Sequence, residues 1–117
     1  MKKLELTENQ IQNQVLSWLK MHEIFAFIVR SVGTYDAKIK GFRAAGPWFR
    51  KGCPDILICY KGKFVGLEIK TKKGVLSEHQ ESFHKDIWDN GGYVYVVRDA
   101  GDLRAIFDFL DKEPNSP

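Results

Sequence analysis

Residues 55–70 (DILICYKGKFVGLEIK) constrain the fold more tightly than any other part of the chain. Two apolar, β-branched and aromatic runs, Asp55 to Tyr60 and Phe64 to Lys70, read as strands. Lys61-Gly62-Lys63 leaves room between them only for a tight hairpin turn. An antiparallel pair is therefore specified locally, and the rest of the chain must pack on it. Ahead of it, Thr7 and Gln10 form a capping-box pattern. Ile11, Val15, Trp18 and Leu19 then share one face of a helix. Phe25 to Val32 reads as a strand ending at Gly33. Behind the hairpin, Gly74 breaks the chain and Ser77 opens a second helix, with Phe83, Ile87 and Trp88 inward and Asn90-Gly91-Gly92 closing it. Tyr93 to Val97 is a short apolar strand, expected at the centre of the sheet. Asp99 caps a last helix with Leu103, Ile106, Phe107 and Leu110 on one stripe. The order α-β-β-β-α-β-α predicts an α/β fold, a mixed central β-sheet with helices on its faces.

At 117 residues, with 44% apolar and 13% aromatic content, the chain is expected to form one domain with a real core. Residues 1–112 are assigned to it, and 113–117 read as a disordered tail. No apolar run approaches the roughly 20 residues of a membrane span. Met1 to Glu5 is basic with no apolar signal core behind it, so a cytoplasmic protein is expected. Cys53 and Cys59 are too few for a disulfide framework or, without more ligands nearby, for a zinc site.

The net charge of +3 conceals a segregation. Between Thr34 and Lys73, ten Lys and Arg stand against three acids; the rest of the chain has eight against twelve. A basic middle in a mildly acidic protein suits a polyanion, although a solvated Lys-rich loop has the same composition. Lys38, Lys40, Arg43, Arg50, Lys51, Lys72 and Lys73 are the candidate phosphate contacts. Most of them fall in the Thr34–Gly52 connection, which has no clear period and interleaves Phe42, Trp48 and Phe49. So long a connection in a small domain is often functional. Its aromatics could stack on a splayed base, plug the core, or form a dimer contact.

The chemistry lies on the hairpin. Glu68 and Lys70 are two apart and share one face of their strand, while Ile69 points to the core. The tight turn sets the start of the first strand, Asp55, opposite the end of the second. Two converging carboxylates repel each other and invite a hard divalent cation, to which the Ile69 carbonyl could add an oxygen. Lys70 could orient a water or stabilise charge on a phosphate. These are the parts of a metal-assisted phosphodiester hydrolysis site.

Pro54-Asp55, twelve residues, then Glu68-Ile69-Lys70 resembles the PD-(D/E)XK nuclease signature, and more closely its VRR-NUC branch. The matching positions are the Glu8-containing first helix, Arg30 and Gly33, Gly52-Cys53-Pro54-Asp55, Gly66 to Lys70, Ser77 with Gln80, and Gly92 to Val97. The resemblance covers about residues 7 to 110 and implies a restriction endonuclease-like fold. It implies Mg²⁺ or Mn²⁺ held by Asp55, Glu68 and the Ile69 carbonyl, with Lys70 as the catalytic lysine. Gln80 and Glu8 would be further catalytic residues. Both have a structural alternative: Gln80 closes a capping box with Ser77, and Glu8 favours a helix dipole. The stand-alone viral and bacterial members imply a homodimer acting on branched DNA such as a four-way junction, in the host cytoplasm if viral. A nicking or restriction-like nuclease on ordinary duplex and a non-catalytic DNA-binding module are the alternatives. His22, His79 and His84 show no metal-ligand spacing with the cysteines and are expected to be exposed polar residues.

Overall fold

The computed structural model describes residues 5–29, 48–114 and the short strand segments 35–36 and 41–42. Helix α1 spans Glu8–Met21, and Thr7 and Gln10 close the capping box. Strand β1 (Ala26–Ile28) follows, then two-residue strands β2 (Tyr35–Asp36) and β3 (Gly41–Phe42), which pair with each other. Strands β4 (Ile56–Tyr60) and β5 (Lys63–Ile69) form the hairpin. Helix α2 (Glu78–Asp89) leads to β6 (Tyr93–Val97), a 3-10 turn (Ala100–Asp102) and helix α3 (Leu103–Lys112). The main sheet has the order β1-β4-β5-β6. β1 and β5 run antiparallel to β4, and β6 runs parallel to β5, so the sheet is mixed as expected.

The hairpin turn has Lys61 and Gly62 both at positive φ (50° and 81°), the mirror-image turn whose twist matches the flanking strands. Directly opposed residues share a face. Ile56, Ile58, Val65, Leu67, Ile69 and Val97 thus form one apolar layer, covered by Ile11, Val15 and Leu19 of α1 and by Leu103, Phe107 and Leu110 of α3. The other face carries Gly66 and Glu68, and α2 covers it. A Cβ on Gly66 would lie 2.8 Å from Pro54 Cγ, so only glycine lets Pro54 cross the strand there.

Five local expectations change. The strand expected over 25–32 is described only as Ala26–Ile28; Val29 still donates its N–H to the Asp55 carbonyl, and Arg30 and Gly33 lie outside the described residues. The aperiodic connection contains β2 and β3, each too short to generate an alternation. Strand β6 is at the edge of the described sheet, not its centre. It reads as fully apolar because helices cover its faces and Trp88 packs edge-on against Tyr93 and Tyr95. Trp88 is accordingly 46% exposed rather than inward; the inner face of α2 is formed by His84 and Ile87. Asp99 caps the 3-10 turn, through Gly101 N–H, rather than α3 itself.

Candidate active site

The start of β4 and the end of β5 meet at one edge of the hairpin, as a two-residue turn requires. Asp55 Oδ2 accepts the Ile69 N–H at 2.7 Å, so the aspartate is tied across the hairpin to the residue between Glu68 and Lys70. Glu68 is 1% exposed. Burial, then the hydrogen bond and charge of Asp55, push its carboxyl up from the ordinary 4.5 to about 8. Lys70 opposes that shift and the Glu8 charge adds to it, so both act on Glu68. Burial, followed by Glu68 and Asp55, also raises the Cys53 thiol, so Cys53 is not an activated nucleophile.

Helix α2 closes the site. Its N-terminal turn sits against Gly52, where φ is +94° and a Cβ would lie 2.3 Å from the His79 carbonyl oxygen. Gly52 is thus a close-approach position, and not only a turn. Gln80 does two things at once: its Oε1 accepts the Ser77 N–H at 2.9 Å, and its Nε2 donates to Glu68 Oε2 at 3.3 Å. The cap and the site contact are compatible because they use opposite ends of one amide. Glu8 lies in the first turn of α1, which also carries a capping box.

The expectation for the histidines fails at one position. His22 and His79 are exposed, but His84 is 8% exposed, with Nε2 hydrogen-bonded to Glu68 Oε1 at 2.9 Å. Burial and then Lys70 hold its pKa below the ordinary 6.5. The signal in the sequence is its place one helical turn after Gln80 and three residues before buried Ile87. Arg98 carried no such signal. Its Nη1 donates to the carbonyls of Thr71 (2.6 Å), Gly74 (2.7 Å) and Lys72 (3.3 Å), fixing the loop after β5.

The basic candidates separate. Lys38, Lys40 and Arg43 lie outside the described residues. Lys51, Lys72 and Lys73 are exposed. Arg50 is engaged by α2: it binds Asp86 and the Ser82 hydroxyl, and its guanidinium lies over the Phe83 ring. It anchors the approach to the site before it could contact a phosphate. Trp48 is 96% exposed and plugs no core, and the Phe42 side chain lies outside the described set.

The donor set fits a hard cation. Among the described residues, no three His, Cys, Asp or Glu side chains gather closely enough to hold a metal ion by themselves. The pair Asp55 and Glu68 therefore needs main-chain oxygen and water to complete a shell, which is the habit of Mg²⁺. A cation between them would also offset the burial and the Asp55 charge that together raise the Glu68 carboxyl.

No family model matches the chain, and no curated protein matches its sequence. In structure it is similar to a protein described as a VRR_NUC domain protein, with a TM-score of 0.71 and 17% identity over 96% of this chain and 93% of that one. The shared feature is the fold, the mixed sheet with flanking helices. Among the described residues no helix is long and apolar enough to cross a membrane.

Proposed function

We propose that residues 1–112 form a metal-dependent nuclease domain that hydrolyses DNA phosphodiester bonds, acting on branched DNA such as a four-way junction. The observation that carries this reading is the buried Glu68 carboxyl beside half-buried Asp55, which is tied across the hairpin by the Ile69 N–H, with the charge of Lys70 acting on Glu68. A buried carboxyl next to a second acid is costly to ionise in a purely structural role, and a cation compensates for that cost. The fold likeness to a VRR_NUC domain protein supports the same reading.

Asp55, Glu68 and the Ile69 carbonyl would hold Mg²⁺ or Mn²⁺. Such a cation polarises a phosphoryl oxygen and makes a bound water more acidic. Lys70 orients the attacking water and stabilises the charge that develops on the phosphate. Gln80 holds the Glu68 carboxylate, and Glu8 adds negative potential from α1. Exposed Lys51, Lys72 and Lys73 would lie along the phosphate backbone. One chain supplies one such constellation. A homodimer supplies two, related by a two-fold axis like that of a junction or duplex. A non-catalytic DNA-binding module would use the lysines but leaves the buried Glu68 beside Asp55 without a purpose.

Incubating a labelled four-way junction and a matched linear duplex with Mg²⁺ or Mn²⁺ tests the reading. Metal-dependent cutting that favours the junction is expected. Equal cutting of both would move the assignment to an ordinary duplex nuclease, and no cutting with either metal would remove the enzyme reading.

A further inference from the structure

Both oxygens of the Glu68 carboxylate are engaged by α2. Gln80 Nε2 reaches Oε2 at 3.3 Å, and His84 Nε2 meets Oε1 at 2.9 Å. The two residues are four apart and so stand on one face of the helix, turned toward the sheet. His84 is itself buried, so its ring is held by packing as well as by this bond. Nothing about Glu68 is left to choose its own orientation. Strand β5 fixes its backbone, Asp55 lies against one side, and α2 grips the carboxylate from above.

We propose that His84 is a positioning residue for the metal site: through Nε2 it holds the Glu68 carboxylate against Asp55 in the orientation used to bind the cation. This rests on the nuclease reading above. The chemistry of the pair fixes the direction of the bond. When Glu68 is ionised, as it must be to hold a cation, its carboxylate only accepts, so in that state His84 donates from Nε2 as the Nε2–H tautomer. The partner of a metal-binding carboxylate lowers the cost of ordering it and removes orientations that do not bind. Gln80 alone, with the longer of the two contacts, leaves the carboxylate free to turn about that contact. The His84 bond is the second point that stops this rotation.

The position also explains why α2 must keep its register. Gly52 packs against its first turn, Ser77 caps it through Gln80, and His84 follows one turn later. A shift of the helix by one residue would withdraw both grips from Glu68 together.

The test is the affinity for Mn²⁺, followed by electron paramagnetic resonance of the free ion, in the wild type and in His84→Leu, His84→Asn and His84→Gln. A Gln amide reaches the place of Nε2 and an Asn amide does not, so both keep polarity but only one keeps the bond. We expect Mn²⁺ affinity to fall about 10- to 100-fold in the Leu and Asn variants, the usual scale for losing the partner of a metal ligand. The Gln variant should retain most of the wild-type affinity. Saturating Mn²⁺ should restore most of the cleavage rate in the Asn variant, whereas it should not rescue Lys70→Ala. Thermal melts without metal show which variants fold; should Leu fail to fold, the comparison of Gln with Asn decides alone. Equal Mn²⁺ affinity in Asn and wild type, or equally weak binding by Gln and Asn, would overturn the assignment of His84. If the wild type binds no Mn²⁺, the metal site itself is wrong and the inference falls with it; that result is distinct, because it appears before any variant is compared.

Discussion

The two ends of the β4–β5 hairpin each gather an acid with basic or polar partners, and they treat it in opposite ways. At the turn end, Asp111 of α3 accepts from Lys61 Nζ at 2.8 Å and from the Tyr60 hydroxyl at 2.6 Å. It is exposed, and these bonds, Lys61 first, hold its carboxyl below the usual range. At the open end, Glu68 is buried, its neighbour Asp55 carries the same charge, and its carboxyl is pushed up to about 8. The first cluster is satisfied as it stands and links a helix to a turn. The second is satisfied only when it takes a proton or a cation. The hairpin thus sets an acid whose charge is matched at one end against one whose charge is not at the other, and the proposed function places the chemistry at the unmatched end.

The largest effects should come from breaking the unmatched end. Asp55→Ala or Glu68→Ala should abolish cleavage and weaken metal binding, because the pair supplies most of the negative charge there. Lys70→Ala should leave metal affinity unchanged or stronger, since a competing cation is gone, while single-turnover cleavage falls by roughly 10² or more. Cutting at the wild-type rate by Lys70→Ala would dismiss the nuclease assignment.

The next effect is on stability against pH in metal-free protein. Glu68 binds its proton more tightly when folded, so between about 4.5 and 8 the native state carries a proton that the unfolded chain has released. Stability should therefore fall as pH rises through that window. His84, depressed from 6.5, acts in the other direction: its stabilising neutrality is lost as pH falls below that value. The range from 6.5 to 8 is left to Glu68. Urea denaturation across it should show a decline in the wild type, at most about 1.4 kcal/mol per pH unit, and a much flatter profile in Glu68→Gln. A flat wild-type profile would mean that the two ends of the hairpin do not differ as described.

A smaller effect concerns the surface beside the site. Neutralising Lys72 and Lys73 together should reduce the slope of log affinity for DNA against log salt by about two units. An unchanged slope would place the phosphate path elsewhere. The smallest effect is expected at the matched end. Asp111→Asn should leave cleavage unaltered and lower the melting temperature only slightly, since exposed ion pairs contribute little. A large loss of activity there would erase the contrast between the two ends.

The hairpin was legible because a two-residue turn and two apolar runs leave a single register, and that register alone brings Asp55 to Glu68 and Lys70. Both capping boxes were legible for the same local reason: each needs only residues three apart. What escaped depends on partners distant in sequence. His84 reads as a solvated histidine until its partner, sixteen residues earlier, is known to be buried. Arg98 meets its acceptors only through main-chain carbonyls, which no side-chain pattern encodes. Arg50 was read with the phosphate-binding residues from charge alone, and its pairing with Asp86 depends on how α2 lies. The edge position of β6 could not be read from its apolar run, since coverage by helices makes an edge strand look central.

The most direct test of the account is thermal unfolding of the wild type and Glu68→Gln near pH 8, titrated with Mg²⁺ or Mn²⁺. If Glu68 and Asp55 together hold a cation, the wild type should gain in melting temperature with each addition of metal until the site saturates, and Glu68→Gln should show little gain. A wild-type melting temperature that does not respond to either metal, or responds no more than that of Glu68→Gln, would contradict it.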